Sequence, residues 1–133
     1  VRRQGSDAVT GDLMVFLTAR LDERERWARA AIPGPWHADG GSVYTTHPTD
    51  EVTGYCGGNA DHIAAHDPAR VLRDVAAQRA IIGWHFVQYD VPTDGTWVQV
   101  CRCGYDAPCA TLRHLAAVYA DHPDYQGEWR PTE

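Results

Sequence analysis

Three of the four cysteines in the chain fall within nine residues, from Cys101 through Cys103 to Cys109, around a turn rich in Gly and Pro (Gly104, Pro108). That cluster restricts the C-terminal third more than any other feature. Thiols this close either cross-link or hold an ion. No segment pairs a basic start with an apolar stretch and a small-residue cleavage site. The expected compartment is therefore the reducing cytoplasm, where metal ligation is the better reading. Thiolates suit borderline-soft ions, and a closed tetrahedral zinc site takes four S or N ligands. Cys101, Cys103 and Cys109 supply three. His85 is the first choice for the fourth, with Cys56 and His114 as substitutes. The bland alternative is three unliganded thiols in a turn.

A catalytic zinc needs an open position, a bound water and an acid or base nearby. No Glu adjoins the cysteines in sequence, and Pro108-Cys109 is only a fragment of the H-x-E…P-C-x-x-C deaminase pattern. The expectation is a structural Zn2+ and no catalytic residue. A rival reading is a metal-dependent hydrolase using the cysteine site or a second cluster, His62, His66 and Asp67. Histidines at i and i+4 share a helical face, but Ile63 stands where the metalloprotease pattern requires Glu. Asp67 is explained as a helix cap, so the bland reading of this cluster is preferred.

Apolar residues at Leu13, Phe16, Leu17, Leu21, Ala28 and Ala31 predict a first helix from Asp12, with charges of both signs along Arg20 to Arg29 facing water. Residues 1–11 read as a flexible leader, and 12–133 as a single domain. Pro33-Gly34-Pro35 stops the helix. From Trp36 to Cys56 the pattern predicts an antiparallel meander of two or three strands. It includes Ser42–Thr46 and Glu51–Cys56, with a turn at Gly40-Gly41 and a break at His47-Pro48-Thr49-Asp50. Asn59 reads as the N-cap of a short helix ending at His66. Asp67-Pro68 restarts the chain with an Asp cap and a Pro at the first helical position, predicting a third helix to about residue 86. Pro92 to Gly95 reads as a loop and Thr96–Val100 as a strand. A last helix begins near Cys109 and ends at His122-Pro123. Tyr125 and Trp129 are expected to dock the acidic tail. The fold class is α+β, with about four helices, a small antiparallel β meander and a zinc-pinned C-terminal segment.

The formal charge of −6 shows no basic footprint, which disfavours nucleic-acid binding. No apolar run reaches the ~18 residues of a membrane span. No dinucleotide-binding, Walker A, G-x-S-x-G or EF-hand signature appears. Core packing is the default for most of the five Trp residues. Trp36 and Trp129, in a loop and the tail, are the two positions where partner contact is conceivable.

The stretch Pro33-Gly34-Pro35-Trp36, the meander, and Ala60-Asp61-His62-Ile63-Ala64-Ala65-His66-Asp67-Pro68 carry a resemblance that continues later in the chain. Pro108-Cys109-Ala110-Thr111-Leu112-Arg113, Tyr119 to Tyr125 and Glu128-Trp129-Arg130-Pro131 share it. From about Asp12 to Pro131 the chain resembles an uncharacterised family, a domain of unknown function in short actinobacterial and phage proteins. The resemblance implies a C-terminal Cys/His group at His85, Cys101, Cys103 and Cys109, and points to mobile-element biology. The leading expectation is a small cytoplasmic protein-interaction or regulatory module with a protein partner.

Overall fold

Helix α1 (Gly5–Ala30) carries the stripe read from the sequence, but it begins well upstream of Asp12. The computed structural model describes residues 5–46 and 49–132, so residues 1–4 of the expected leader, and His47 and Pro48 of the expected break, lie outside it. Val9 and Thr10 prolong the stripe by one turn. Thr10 is buried at 2% exposure and Val9 packs on the core, so residues 5–11 are helix and not leader.

The chain packs as two compact units. One is split in sequence, joining the described residues through Leu21 to those from Gln78 onward. The other is the central stretch Asp22–Ala77. Helices α1 and α3 (Pro68–Trp84) each contribute one part to each unit.

In the central unit, β1 (Trp36–Asp39), β2 (Ser42–Thr45) and β3 (Glu51–Thr53) form an antiparallel sheet in the order β1-β2-β3. Asp39 pairs with Ser42 across the two-residue turn Gly40-Gly41. Both turn residues have positive φ (60° and 82°), the conformation that tight hairpins demand and glycine adopts freely. Helix α2 (Asn59–Ala65) packs on β1 and β2. Asn59 is its first helical residue, and Gly58 occupies the cap position without a side-chain bond, so the expected Asn59 cap does not form. The core here is small, built on Ala28, Val43, Ala60 and Val75.

Asp67 does cap α3. Its Oδ1 accepts the Arg70 N–H at 2.8 Å and its Oδ2 accepts the Trp36 N–H at 3.1 Å. A Cβ at Gly34 would meet Asp67 Oδ2 at 2.8 Å, so glycine there lets the Pro33-Gly34-Pro35 loop approach the carboxylate. One side chain thus satisfies a helix start and a strand start. Asp67→Ala is expected to cost about 2 kcal/mol, from the lost cap and the orphaned Trp36 N–H. Urea unfolding followed by circular dichroism checks it, and an unchanged midpoint would remove Asp67 from this role.

In the split unit, Leu13, Phe16 and Leu17 of α1 face Leu112 and Ala116 of α4 (Ala110–Ala117) and the tail residue Trp129. Burying a Leu side chain contributes roughly 2 kcal/mol, and Leu13, Leu17 and Leu112 are all at 0% exposure. The Phe16 ring meets Tyr119, His122, Tyr125 and Trp129 at centroid distances of 5.0–6.2 Å. Arg20 contacts His122 and lies over the Phe16 ring. The tail docks as expected, its short 3-10 turn (Gly127–Trp129) set against α4.

A second sheet pairs β4 (Val87–Asp90) with β5 (Val98–Cys101), antiparallel, with Val87 opposite Cys101. The β4 strand was not anticipated, and α3 stops at Trp84 rather than near residue 86. With this, the α+β class holds: the described residues form four α-helices and two small antiparallel sheets.

Candidate metal centre

His85 leaves the end of α3, its N–H bonded to the Ile82 carbonyl at 3.0 Å, and enters β4. Pairing of β4 with β5 extends past Cys101, because the Arg102 N–H donates to the Phe86 carbonyl at 2.9 Å. The chain just before β4 therefore runs beside the chain just after β5. Cys101 to Gly104 then form a turn closed by the Gly104 N–H on the Cys101 carbonyl at 2.9 Å. Gly104 has φ +95°, a conformation that side chains resist. The returning segment folds back along β5: Cys101 N–H donates to Tyr105 O, Ala107 N–H donates to Gln99 O, and Val100 bridges to Asp106. That return delivers Cys109 to the start of α4, where it is the N-cap residue and its side chain makes no capping bond.

All four predicted residues come together. One ligand atom from each of His85, Cys101, Cys103 and Cys109 lies within 4.8 Å of every other. His85 Nδ1 sits 3.4 Å from both Cys101 Sγ and Cys109 Sγ. A zinc tetrahedron with Zn–S ~2.3 Å and Zn–N ~2.0 Å has S···N edges of about 3.5 Å. Three sulfurs and one imidazole nitrogen at these spacings fit a borderline-soft divalent ion. Cys56 and His114, the substitutes, are not in the group, which is the one such cluster found among the described residues. None of the four cysteines is in a disulfide.

The site is closed inward and open at one edge. Cys101 and Cys109 are buried and belong to the apolar core, while Cys103 is exposed and His85 half-buried. Burial pushes the Cys101 thiol up to about 12. The backbone N–H of Cys103 opposes that rise, and the neighbouring Cys103 and Cys109 thiols reinforce it. At Cys103 burial also works against the thiolate, but it is outweighed. The Tyr105 backbone N–H and the Cys101, His85 and Cys109 side chains bring that thiol down to about 7. Backbone amides aimed at sulfur are what a thiolate–metal site uses to hold its ligands' charge. No residue type announces them, so the sequence carried no sign of the Cys103 and Tyr105 amides beyond the turn-forming Gly104.

Arg113 was also missed. Its Nε donates to the Pro108 carbonyl at 3.0 Å, and its Nη1 donates to the Glu128 carbonyl at 2.7 Å. It thereby ties the residue before Cys109 to the docked tail. Its place on α4 is visible in the sequence, but its carbonyl acceptors are not.

The second cluster does not assemble as a triad. His62 and His66 are exposed, with ring centroids 4.5 Å apart, while both carboxylate oxygens of Asp67 are committed to backbone N–H groups. The tryptophan expectation needs correction as well. Trp27, Trp84 and Trp97 are 64%, 62% and 47% exposed, and Trp129 is the fully buried one. Trp84 and Trp97 flank a hairpin too small to cover them. Arg102 caps Trp84 instead, its guanidinium carbon 3.9 Å from the ring centroid.

No helix among the described residues is long and apolar enough to cross a membrane. No curated protein and no solved structure matches the chain. Residues 10–131 match a described family across nearly the whole sequence, in keeping with the resemblance that runs from about Asp12 to Pro131. The chain belongs to the family of unknown function DUF6221.

Proposed function

We propose that the chain is a small, non-enzymatic protein-interaction or regulatory module whose split unit is held by one structural Zn2+ on His85, Cys101, Cys103 and Cys109. The observation that carries this reading is the ligand set itself: three sulfurs and one nitrogen within 4.8 Å, with no carboxylate among them. Four protein ligands fill a tetrahedral zinc and leave no position for a reactive water. At the cysteine site the hydrolase reading loses its metal-bound nucleophile on that count. A reducing, cytoplasmic setting keeps the thiols available, and an actinobacterial or phage accessory role accords with it.

The interaction half of the proposal is supported by the β4–β5 hairpin and its flanks. Trp84, Phe86, Tyr89, Trp97 and Tyr105 are each more than 40% exposed there. Arg102 lies over Trp84 and Phe86. Aromatic and Arg side chains of this kind dominate protein-binding hot spots.

Elemental analysis of protein purified without chelator tests the metal, with one zinc per chain expected and the same content in Cys56→Ser and His114→Ala. A photo-crosslinker at position 105 tests the surface. It should capture one dominant protein in the native host, and Trp84→Ser should abolish capture while leaving zinc content unchanged. Metal-free protein, or capture indifferent to Trp84, would sink the corresponding half.

A further inference from the structure

We infer that His62 and His66 form a second, separate metal site on the surface of the central unit, a bis-imidazole chelate for a tetragonal divalent ion such as Ni2+ or Cu2+. The two residues are four apart at the end of α2, with His66 at the C-cap position, so both side chains lie on one helical face. The His66 Nδ1 is 2.7 Å from the His62 carbonyl oxygen. A carbonyl only accepts, so Nδ1 carries the proton and donates it. The lone pair is thereby left on Nε2, and the backbone bond fixes ring and tautomer as the partners of metal-bound histidines do.

The ring spacing fits a cis pair of ligands. With metal–nitrogen bonds of ~2.0 Å, an imidazole centroid lies about 3.2 Å from the ion. Two rings in cis positions at 90° then stand about 4.5 Å apart, and two in a tetrahedron about 5.2 Å. The observed centroid distance is 4.5 Å, with the planes tilted by 40°. Imidazole nitrogens in a tetragonal arrangement favour Cu2+ and Ni2+. Both rings are exposed, so an ion enters without any opening of the fold. Asp67 adds no ligand: it does not group with the two histidines among the described residues, and its oxygens accept the Arg70 and Trp36 N–H groups. Water completes the coordination.

The test uses the untagged full chain, saturated with zinc, and Ni2+ as the probe. Calorimetry should show one equivalent of Ni2+ bound, and paramagnetic broadening should select the His62 and His66 ring signals. His62→Ala and His66→Ala should each weaken Ni2+ binding by about tenfold or more, since either change removes the second tooth of the chelate. His114→Ala, which alters an exposed imidazole on α4, should change nothing. Equal Ni2+ affinity in His62→Ala, or Ni2+ uptake matched by zinc release, would overturn the assignment. If the chain takes up no zinc, the thiol site fails on its own, and the broadening at His62 and His66 still decides this one.

Discussion

Cys109→Ser should leave the split unit unfolded at room temperature. Zinc held by a structural site contributes on the order of 10 kcal/mol of apparent folding free energy, comparable to the whole stability of a domain. Cys109 is buried at 3% exposure, so the serine hydroxyl would be left in an apolar cluster with no ion to bind. Cys101→Ser, at 1% exposure, should behave alike. Cys103→Ser should be milder, because water can reach that exposed corner and complete the coordination sphere. Chelator added to the unaltered protein should reproduce the Cys109 result and excess zinc should reverse it. Loss of blue-shifted tryptophan emission reports on this unit, since Trp129 is the fully buried ring among the five and sits in the same core. A Cys109→Ser protein that melts at the unaltered temperature would show that the thiols stabilise nothing.

The second large effect is expected at Trp129. It is 1% exposed, lies 5.0 Å from Phe16 between ring centroids, and anchors the tail against α4. Trp129→Ala should cost about 3–5 kcal/mol through the cavity left behind. The thermal midpoint should fall by more than about 10 °C. Among the described residues its Nε1–H has no hydrogen-bond partner. Trp129→Phe therefore loses volume but no bond, and should recover most of the deficit. A calorimetric melt separates the two substitutions. If the alanine variant melts within a few degrees of the unaltered protein, the tail is not part of the core.

The Cys/His group was legible because its chemistry is written in residue types. Cysteines concentrated within nine residues are rare outside crosslinks and metal sites. His85 could be proposed as the fourth ligand because it lies near the end of the predicted third helix, ahead of the strand that leads into Cys101. What placed it there, the β4–β5 pairing, was half invisible. Gln88, Tyr89 and Asp90 of β4 are all exposed, so the strand has no alternation of apolar and polar positions to betray it. Asp67 was readable as a cap because Asp-Pro is a local signal. Its second bond, to the Trp36 N–H, is long-range and left no trace. Surface tryptophans misled for a related reason: composition records how much apolar area a chain carries, not whether a small hairpin can cover it. The early start of α1 was missed because Gly5, Ser6 and Asp7 are poor helix formers. Packing of Val9 and Thr10 extends the helix despite them.

The split unit is interrupted by the whole of Asp22–Ala77, and that interruption imposes a timetable on synthesis. Leu13, Phe16 and Leu17 leave the ribosome well before Leu112 and Trp129. At about 5–20 residues per second, that apolar stripe waits on the order of several seconds for its neighbours. The intervening stretch is continuous in sequence and can fold during the wait. For this protein the vulnerable moment is birth, when a sticky helix is present and the residues that will bury it have yet to be translated.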